Sequence, residues 1–372
     1  MQYKVPFVDP RAQFAKLKSS ILSELERVLS RGNLILRDEL SEFESKFARF
    51  VRRKYAIGVG SGFDALYLLL RSLNFKPTDE VISVSHTCIA TISAIVNAGA
   101  KPVLVDVGRD FNMNMRLVAN ALTPNTKAVL PVHMNGRACD MNLLSEALKG
   151  TGVMIIEDAA QGLGARYEEK PVGTFGLAAA FSLYPFKMLG VLGDGGVVVT
   201  DDPELAQRIR VLRDYGEDRL TGEILCYGLS SRLDNIQAAI ATLKLPLVSE
   251  FIHRRREIAT RYEKALQRFT ELTLPHFLET NRFDVFLNYT VLCKRRDDLA
   301  RFLRDSGVEV LTPISFIKPL HKHERLGLSH LKLPETERIS DEFVYLPIWP
   351  DLNDEQIDFV IDTIRRFFDR KG

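Results

Sequence analysis

Short apolar runs alternate with helix-like segments over the first half of the chain. The runs EVISVS, VMIIED and GVVVTD are rich in valine and isoleucine, as in buried strands. Between such runs, FDALYLLLRSL and ATISAIVNAG repeat apolar residues at three- and four-residue steps. This alternation predicts an α/β fold in which helices cover both faces of a mostly parallel sheet.

The pattern differs at both ends of this region. Residues 11–31 predict an amphipathic helix whose apolar positions are Phe14, Leu17, Ile21, Leu22, Leu25 and Leu29. After Leu245 the alternation gives way to a long helix, predicted for 248–266, and then to a mixture of strands and helices. We predict a large domain over 1–245 and a smaller C-terminal α+β domain over 246–372, with the N-terminal helix as a candidate to pack on the smaller one.

Composition and charge argue against nucleic-acid-binding, membrane and zinc-binding functions. Apolar residues make up 46% of the 372 residues, and the formal net charge is +2. This balance gives no reason to expect nucleic acid or a membrane surface as a partner. The four cysteines show no zinc-binding spacing, and no run is long and apolar enough to cross a bilayer. We therefore expect a cytoplasmic protein without a metal site.

Polar residues collect where the predicted strands end. They are Ser61, His86, Asp106, His133, Asp158 and the segment 182–187. In open parallel sheets, ligands bind beyond the carboxyl ends of the strands. These residues are therefore the candidates for a binding site, although a hydrogen-bonded core position is slightly favoured for His133.

The run VMIIEDAAQ ends a predicted strand with two acids. On its own, Asp158 is best explained as the cap of a following helix. The functional alternative is a carboxylate that pairs with a protonated ring nitrogen and makes the ring an electron sink. Gln161, three residues later, could reach the same ligand.

Lys187 lies between Phe186 and Met188 and is the one basic residue of FSLYPFKMLGVLGDGG. Apolar surroundings disfavour an ammonium, and a neutral amine is a nucleophile. Ser182 precedes it by five residues and could bind phosphate, although a serine in a strand is weak evidence. The glycines of GDGG predict a hairpin turn and are interpreted as structural.

A third motif, GVGSGFDALYLLL, combines a strand, a glycine turn and a helix start. The dinucleotide fingerprint fails because Phe63 replaces its third glycine, which makes a nicotinamide oxidoreductase remote. Amides at a helix N-terminus beside Ser61 suit a phosphate, although a tight turn explains the glycines equally well. A phosphate site, a strand-end aspartate and a nucleophilic lysine together match what pyridoxal phosphate requires.

Nearly the whole chain resembles the DegT/DnrJ/EryC1/StrS sugar aminotransferases, pyridoxal-phosphate enzymes of fold type I. The resemblance rests on GSGFDALYLLLRSL, VLPVHMNGRACDM, IIEDAAQGLGARY, FSLYPFKMLGVLGDGGVVVTDD and GLSSRLDNIQAAIATLKL. It implies that Lys187 binds the cofactor covalently and moves protons, and that Asp158 pairs with the pyridine nitrogen.

The resemblance also implies the remaining contacts. Gln161 would contact the hydroxyl side of the ring, while the Gly62 and Phe63 amides and the Ser182 hydroxyl would hold the phosphate. It further implies a homodimer with shared active sites, in which Ser230 and Arg232 approach the partner's cofactor.

The chain departs from the family pattern at several positions. Cys88 stands where many members place an aromatic ring against the cofactor, and a thiol cannot stack as a ring does. Ser230 replaces an asparagine that reaches the partner's phosphate in many relatives. Arg37 stands where glycine is common, and Phe63 where threonine is frequent.

The resemblance implies transfer of an amino group from an amino acid, with glutamate favoured, to a nucleotide-linked keto sugar, with C3 favoured. Tyr184, Arg232 and His321 are the candidate substrate contacts. Two alternatives stay open: a pyridoxal-phosphate-dependent sugar dehydratase, and a regulatory protein that keeps the fold without catalysis. Lys187 favours transamination over dehydration, because some dehydratases of this scaffold carry histidine there.

Overall fold

The computed structural model describes residues 3–275, 281–313 and 318–369. The α-helices are α1 (Pro10–Arg31), α2 (Asp38–Val51), α3 (Gly62–Arg71), α4 (Ile89–Asn97), α5 (Val118–Ala121), α6 (Met141–Ala147), α7 (Pro203–Leu212), α8 (Asn235–Lys244), α9 (Val248–Leu266), α10 (Arg296–Asp305), α11 (Pro334–Glu342) and α12 (Asp354–Asp369). The strands are β1 (Tyr55–Val59), β2 (Glu80–Val84), β3 (Lys101–Val105), β4 (Thr126–Val129), β5 (Met154–Asp158), β6 (Arg166–Tyr167), β7 (Lys170–Pro171), β8 (Ala178–Ser182), β9 (Gly196–Thr200), β10 (Glu217–Asp218), β11 (Glu223–Ile224), β12 (Leu272–Thr273), β13 (Arg282–Phe283), β14 (Tyr289–Cys293) and β15 (Phe343–Leu346).

A seven-stranded sheet forms the centre of the fold, in the order β1-β9-β8-β5-β4-β2-β3. The pairings from β3 through β2, β4 and β5 to β8 are parallel. Strand β9 is antiparallel to both of its neighbours, β8 and β1. Buried apolar side chains fill the space between the sheet and its helices. The predicted α/β architecture with a mostly parallel sheet is confirmed.

The sheet brings two of the candidate motifs side by side. Strand β5 pairs with β8 in a register that sets Asp158 opposite Ala180. Strand β8 ends at Ser182, and the loop 183–195 that carries Lys187 returns the chain to β9. The carboxyl ends of β5 and β8 therefore present Asp158 and Lys187 at the same edge.

A second hydrophobic core lies under the antiparallel sheet β12-β14-β15. Val5 belongs to this core and exchanges backbone hydrogen bonds with Gly307 and Glu309 at 3.0 and 2.9 Å. Helix α9 spans both cores: Val248 packs in the first and Tyr262 in the second. The division at residue 245 stays a prediction.

Local details differ from the sequence-based expectations in three places. On α1, Ile21 is buried, but Phe14, Leu22 and Leu29 are exposed, so the apolar stripe is only partly covered by this chain. No helix follows Asp158, because residues 159–165 form turns. The GDGG glycines do not form a tight hairpin: Gly193 and Gly195 lie at the end of the long loop 183–195, and Gly196 begins β9.

The described residues contain neither a membrane-spanning helix nor a metal cluster. None of their helices combines the length and apolarity needed to cross a bilayer. Within the same ranges, no three histidine, cysteine, aspartate or glutamate side chains gather as metal ligands.

The two helices before β1 offer a matched test of the packing. Phe43 of α2 is fully buried in the central core, whereas Phe14 of α1 is 42% exposed. We expect Phe43→Ala to lower the free energy of unfolding by about 3–5 kcal/mol, because it leaves a cavity. Phe14→Ala should change it by less than about 0.5 kcal/mol. Urea denaturation of both variants measures the difference, and equal losses would contradict the assigned core.

Candidate active site

Asp158 lies at the end of β5 with its carboxylate buried. Oδ2 accepts a hydrogen bond from Thr91 Oγ1 at 2.8 Å, and Oδ1 accepts one from the Ala160 amide at 3.1 Å. Thr91 Oγ1 in turn lies 2.8 Å from Thr87 Oγ1. Burial raises the pKa of Asp158, while the Thr91 and Ala160 donors and the Lys187 charge oppose that rise. Asp158 is thus the last residue of its strand, and its carboxylate is held by the Thr91 hydroxyl of α4 and by the Ala160 amide.

Lys187 lies in the loop that follows β8, with its side chain half-buried. Burial lowers the pKa of its ammonium below the ordinary lysine value. The negative charge of Asp158 opposes that shift. Asp158 ends β5, which pairs with β8, and Lys187 lies five residues beyond the end of β8. The lysine predicted to be a nucleophile and the strand-end aspartate therefore belong to one site.

The start of α3 packs directly against the end of β8. A Cβ built on Gly62 would lie 2.6 Å from Ser182 Cβ and 2.8 Å from Ser182 Oγ, so only glycine fits there. Ser61 caps the helix through a 3.0 Å bond from the Asp64 amide to its Oγ. The Ser61 hydroxyl is therefore occupied in capping α3. Gly62, Phe63 and Ser182 lie together at the N-terminus of this helix, where free backbone amides can bind an anion.

Gln161 is buried beside two asparagines. Its Oε1 accepts bonds from the Asn135 amide at 2.9 Å and from Asn288 Nδ2 at 3.4 Å. Asn288 Nδ2 also donates to Asn135 Oδ1 at 3.1 Å. We call Asn135, Gln161 and Asn288 the amide triad. It fixes the Gln161 side chain, although Gln161 follows Asp158 through turns rather than along a helix.

The remaining predicted contacts lie at the edge of the site. Cys88 is the exposed N-cap residue of α4. Ser230 is exposed, and its Oγ accepts a 3.1 Å bond from Arg232, which also bonds Asp214 at 3.0 Å. Tyr184 is 45% exposed and packs edge-on against the ring of Phe186.

His321 has a position that does not suit substrate binding. Its side chain is buried, with Nδ1 2.7 Å from Ser85 Oγ and Nε2 3.2 Å from Glu337 Oε1. Both ring nitrogens are occupied, so the histidine joins the end of β2 to α11. His133 is likewise a core residue: Nδ1 accepts from the Cys139 amide and Nε2 lies 3.1 Å from Glu157.

The structure adds residues that the sequence analysis did not select. Thr91 donates a hydrogen bond to the Asp158 carboxylate. In the sequence, only its position one helical turn after Thr87 could have drawn attention to it. Asn135 and Asn288 flank Gln161 but come from segments far apart in the chain. Arg37, noted as a departure from the family, is exposed at the start of α2, where its amide donates to Asn235 at 3.2 Å.

These groups fit pyridoxal phosphate on the observations of this structure. Gly62 and Ser182 lie in close contact at the N-terminus of α3. Their small side chains leave the backbone amides there accessible to a phosphate group. Asp158 offers a buried carboxylate for a ring N–H, and Lys187 an amine whose pKa is lowered for attack on an aldehyde.

Comparison with known proteins agrees with this fit. Residues 15–365 match the family model described as the DegT/DnrJ/EryC1/StrS aminotransferase family. A Streptomyces venezuelae relative named dTDP-3-amino-3,4,6-trideoxy-alpha-D-glucose transaminase is 39% identical over 99% of this chain and 97% of its own. A Geobacillus stearothermophilus relative named pleiotropic regulatory protein is 37% identical over 98% of both chains.

A solved structure supports the same conclusion. The crystal structure of S. venezuelae DesV in complex with a ketimine intermediate superimposes with a TM-score of 0.94, at 38% identity over the whole of both chains. The predicted fold type, enzyme class and cofactor are therefore confirmed. The chain belongs to the DegT/DnrJ/EryC1/StrS aminotransferase family and is a pyridoxal-phosphate-dependent aminotransferase.

Proposed function

We propose that this protein transfers an amino group from glutamate to C3 of a nucleotide-linked keto sugar. The observation that carries the proposal is the joint placement of Lys187 and Asp158 at neighbouring strand ends, each altering the pKa of the other. Transamination needs both a base that moves a proton at carbon and a fixed negative charge at the cofactor's ring nitrogen. The chain supplies both.

Each residue of the site has a defined task in this proposal. When bound, pyridoxal phosphate supplies an electron sink that stabilises negative charge at the substrate carbon. Lys187 Nζ takes the proton from the α-carbon of the donor and later delivers one to the sugar carbon that receives nitrogen. Asp158, held by Thr91, would present its carboxylate to the ring nitrogen of the cofactor.

Binding and orientation fall to the remaining residues. The amides of Gly62 and Phe63 and the Ser182 hydroxyl would hold the phosphate group, and Gln161 would hold the ring hydroxyl. Asn135 and Asn288 fix the Gln161 amide in one orientation. Because these contacts are made before reaction, the site orients the reacting atoms without further reorganisation.

The sugar and its position of amination rest on the resemblance to named enzymes. The S. venezuelae relative is named for a nucleotide-linked 3-amino sugar, which supports a keto group at C3 of the acceptor. Arg232 is a candidate for the nucleotide phosphates, because it is partly exposed beside Ser230 and Tyr215. Tyr184 remains a candidate substrate contact, whereas His321 is not carried into the proposal.

We also propose that two copies form the working unit. The segment 215–227, which we call the arm, contains the β10-β11 hairpin and exposes large apolar side chains. Leu220 and Tyr227 are 92% exposed and Ile224 is 67% exposed. An apolar surface of this kind is typical of a protein interface, and the arm precedes Ser230 and Arg232 in the chain. A second copy that covers the arm would bring these two residues near its own cofactor.

Lys187→Ala tests the proposed base. Without the amine, we expect the transamination rate to fall by roughly 10⁴-fold, because proton transfer at carbon loses its base. The absorption band of the covalently bound cofactor should also disappear. Lys46→Ala, at an exposed ion pair with Glu42, is the matched control and should leave both unchanged. Retained turnover in Lys187→Ala would contradict the assignment.

Thr91→Val tests the hydroxyl that holds Asp158. The Thr91 donor stabilises the charged carboxylate and so lowers its pKa; its loss should raise that pKa further. The carboxylate then becomes protonated at a higher pH as the solution is acidified. We expect the acidic limb of the cofactor's absorption titration to move to higher pH, with a rate about tenfold lower. Thr91→Ser keeps the hydroxyl and should restore both, whereas an unshifted titration in Thr91→Val would contradict this role.

Leu220→Asp combined with Ile224→Asp tests the arm. Charges in an apolar interface are costly, so we expect the sedimentation coefficient to change from that of a dimer to that of a monomer. Leu326→Asp, at an exposed leucine far from the arm in sequence, should leave the dimer intact. A wild-type protein that sediments as a monomer would contradict the proposal, as would a double variant that still forms dimers.

A further inference from the structure

A partly open cavity of about 570 Å³ lies where the loops after β3 and β4 meet β14 and α11. Its walls come from the loops 109–111 and 135–137 after β3 and β4, from 273–275, from 284–292 and from the first half of α11. Cavities of this size hold small organic ligands. Neither Lys187 nor Asp158 belongs to the lining, so the cavity is a different space from the proposed cofactor site.

The amide triad connects this cavity with the cofactor site. Asn135 and Asn288 line the cavity, and both donate hydrogen bonds to Gln161 Oε1, at 2.9 and 3.4 Å. Gln161 is the residue proposed to hold the ring hydroxyl of the cofactor. A ligand that rearranges either asparagine would therefore change the environment of the cofactor ring.

The charges of the lining balance. Three arginines face three carboxylates: Arg109, Arg137, Arg338, Asp110, Asp284 and Glu335. Arg137 pairs with Asp284 at 2.6 Å, and Arg338 with Glu335 at 2.7 Å. Asp110 is bonded by Arg282 at 2.8 Å. A lining with equal numbers of positive and negative groups, most of them ion-paired, disfavours a polyanion such as a nucleotide and favours an uncharged polar ligand.

Polar atoms in the walls still lack partners. Asn135 Nδ2, Asp284 Oδ1 and Thr290 Oγ1 are buried without a hydrogen bond within the described ranges. Native proteins contain few such atoms, because each costs free energy unless water or a ligand bonds it. Together they offer a donor, an acceptor and a hydroxyl that does both.

Apolar surface lies beside these polar atoms. Phe111, Phe286, Leu274 and Leu292 contribute to the same lining. A pyranose ring carries hydroxyl groups around its edge and C–H groups on its faces. It can therefore bond amides and carboxylates while its faces cover aromatic and aliphatic side chains.

We propose that this cavity is a second sugar-binding site, separate from the aminotransferase centre, which accepts an uncharged pyranose and is linked to the cofactor through the amide triad. Binding at this site is measured without turnover, so the inference stands or falls independently of the proposed amination reaction.

Methyl α-D-glucopyranoside is the probe, because its locked ring has no aldehyde that could react with lysines. Saturation-transfer NMR on the holoenzyme measures binding, and the absorption band of the cofactor measures the link through Gln161. We expect saturable binding in the millimolar range and a shift of the band with the same concentration dependence. Absence of saturation transfer, which would indicate a cavity that holds water only, would overturn the proposal.

Leu274→Trp places a larger side chain in the wall of the cavity. Affinity for the glucoside should fall roughly tenfold or more, whereas Leu326→Trp, at an exposed leucine outside the lining, should bind like the wild type. Thr290→Val is an isosteric second variant that removes one unpartnered hydroxyl, with Thr242→Val as its control. Unchanged binding in both Leu274→Trp and Thr290→Val would place the glucoside elsewhere and overturn the proposal.

Discussion

The buried carboxylate of Glu157 is the constraint on which the site depends. It accepts hydrogen bonds from the Gly173, Phe175 and Gly176 amides at 2.7–2.9 Å and lies 3.1 Å from His133 Nε2. Burial alone raises its pKa, but the His133 contact and these amides outweigh that effect, so the pKa is lowered and the charge is kept. One buried anion thereby joins β5 to the turn before β8 and to the segment after β4.

Glu157 positions Asp158, the proposed cofactor-binding carboxylate, because the two residues are neighbours on β5. Successive side chains of β5 point to opposite faces, so a fixed Glu157 leaves Asp158 on the other face, toward Thr91 and Lys187. A second buried charge fixes the lysine's loop: Lys244 Nζ, at the end of α8, donates to the Gly190 carbonyl. Burial lowers the pKa of Lys244 to about 8. Both reacting side chains are thus held by buried groups outside the reaction.

The architecture could be predicted from the sequence because its signals are local. Val/Ile-rich runs between amphipathic helices indicate a parallel sheet, and helix α9 begins and ends at the predicted residues, Val248 and Leu266. The placement of Asp158 and Lys187 also followed, since strand ends meet at one edge of a sheet. The conformation after Asp158 could not be predicted in this way. The sequence there suggested a helix, but its glycines and turn hydrogen bonds stabilise a series of turns instead.

Contacts between distant segments carry no such local signal. The amide triad joins Asn135 to Asn288, and His321 is bonded to Ser85 across the fold. The exposed apolar side chains of α1 look like core positions in sequence, because periodicity identifies an apolar face but not what covers it. Residues such as Thr91 become recognisable only when the partner carboxylate is seen.

The most direct test follows the amino group itself. Holoenzyme is mixed with glutamate labelled at its nitrogen and with a nucleotide-linked 3-keto sugar, and the products are identified by mass spectrometry and NMR. The account predicts that labelled nitrogen appears on C3 of the sugar while glutamate becomes its oxo-acid. Sugar consumed without uptake of nitrogen would instead indicate a dehydratase, and no change in either compound would indicate a regulatory protein; both results would contradict the account.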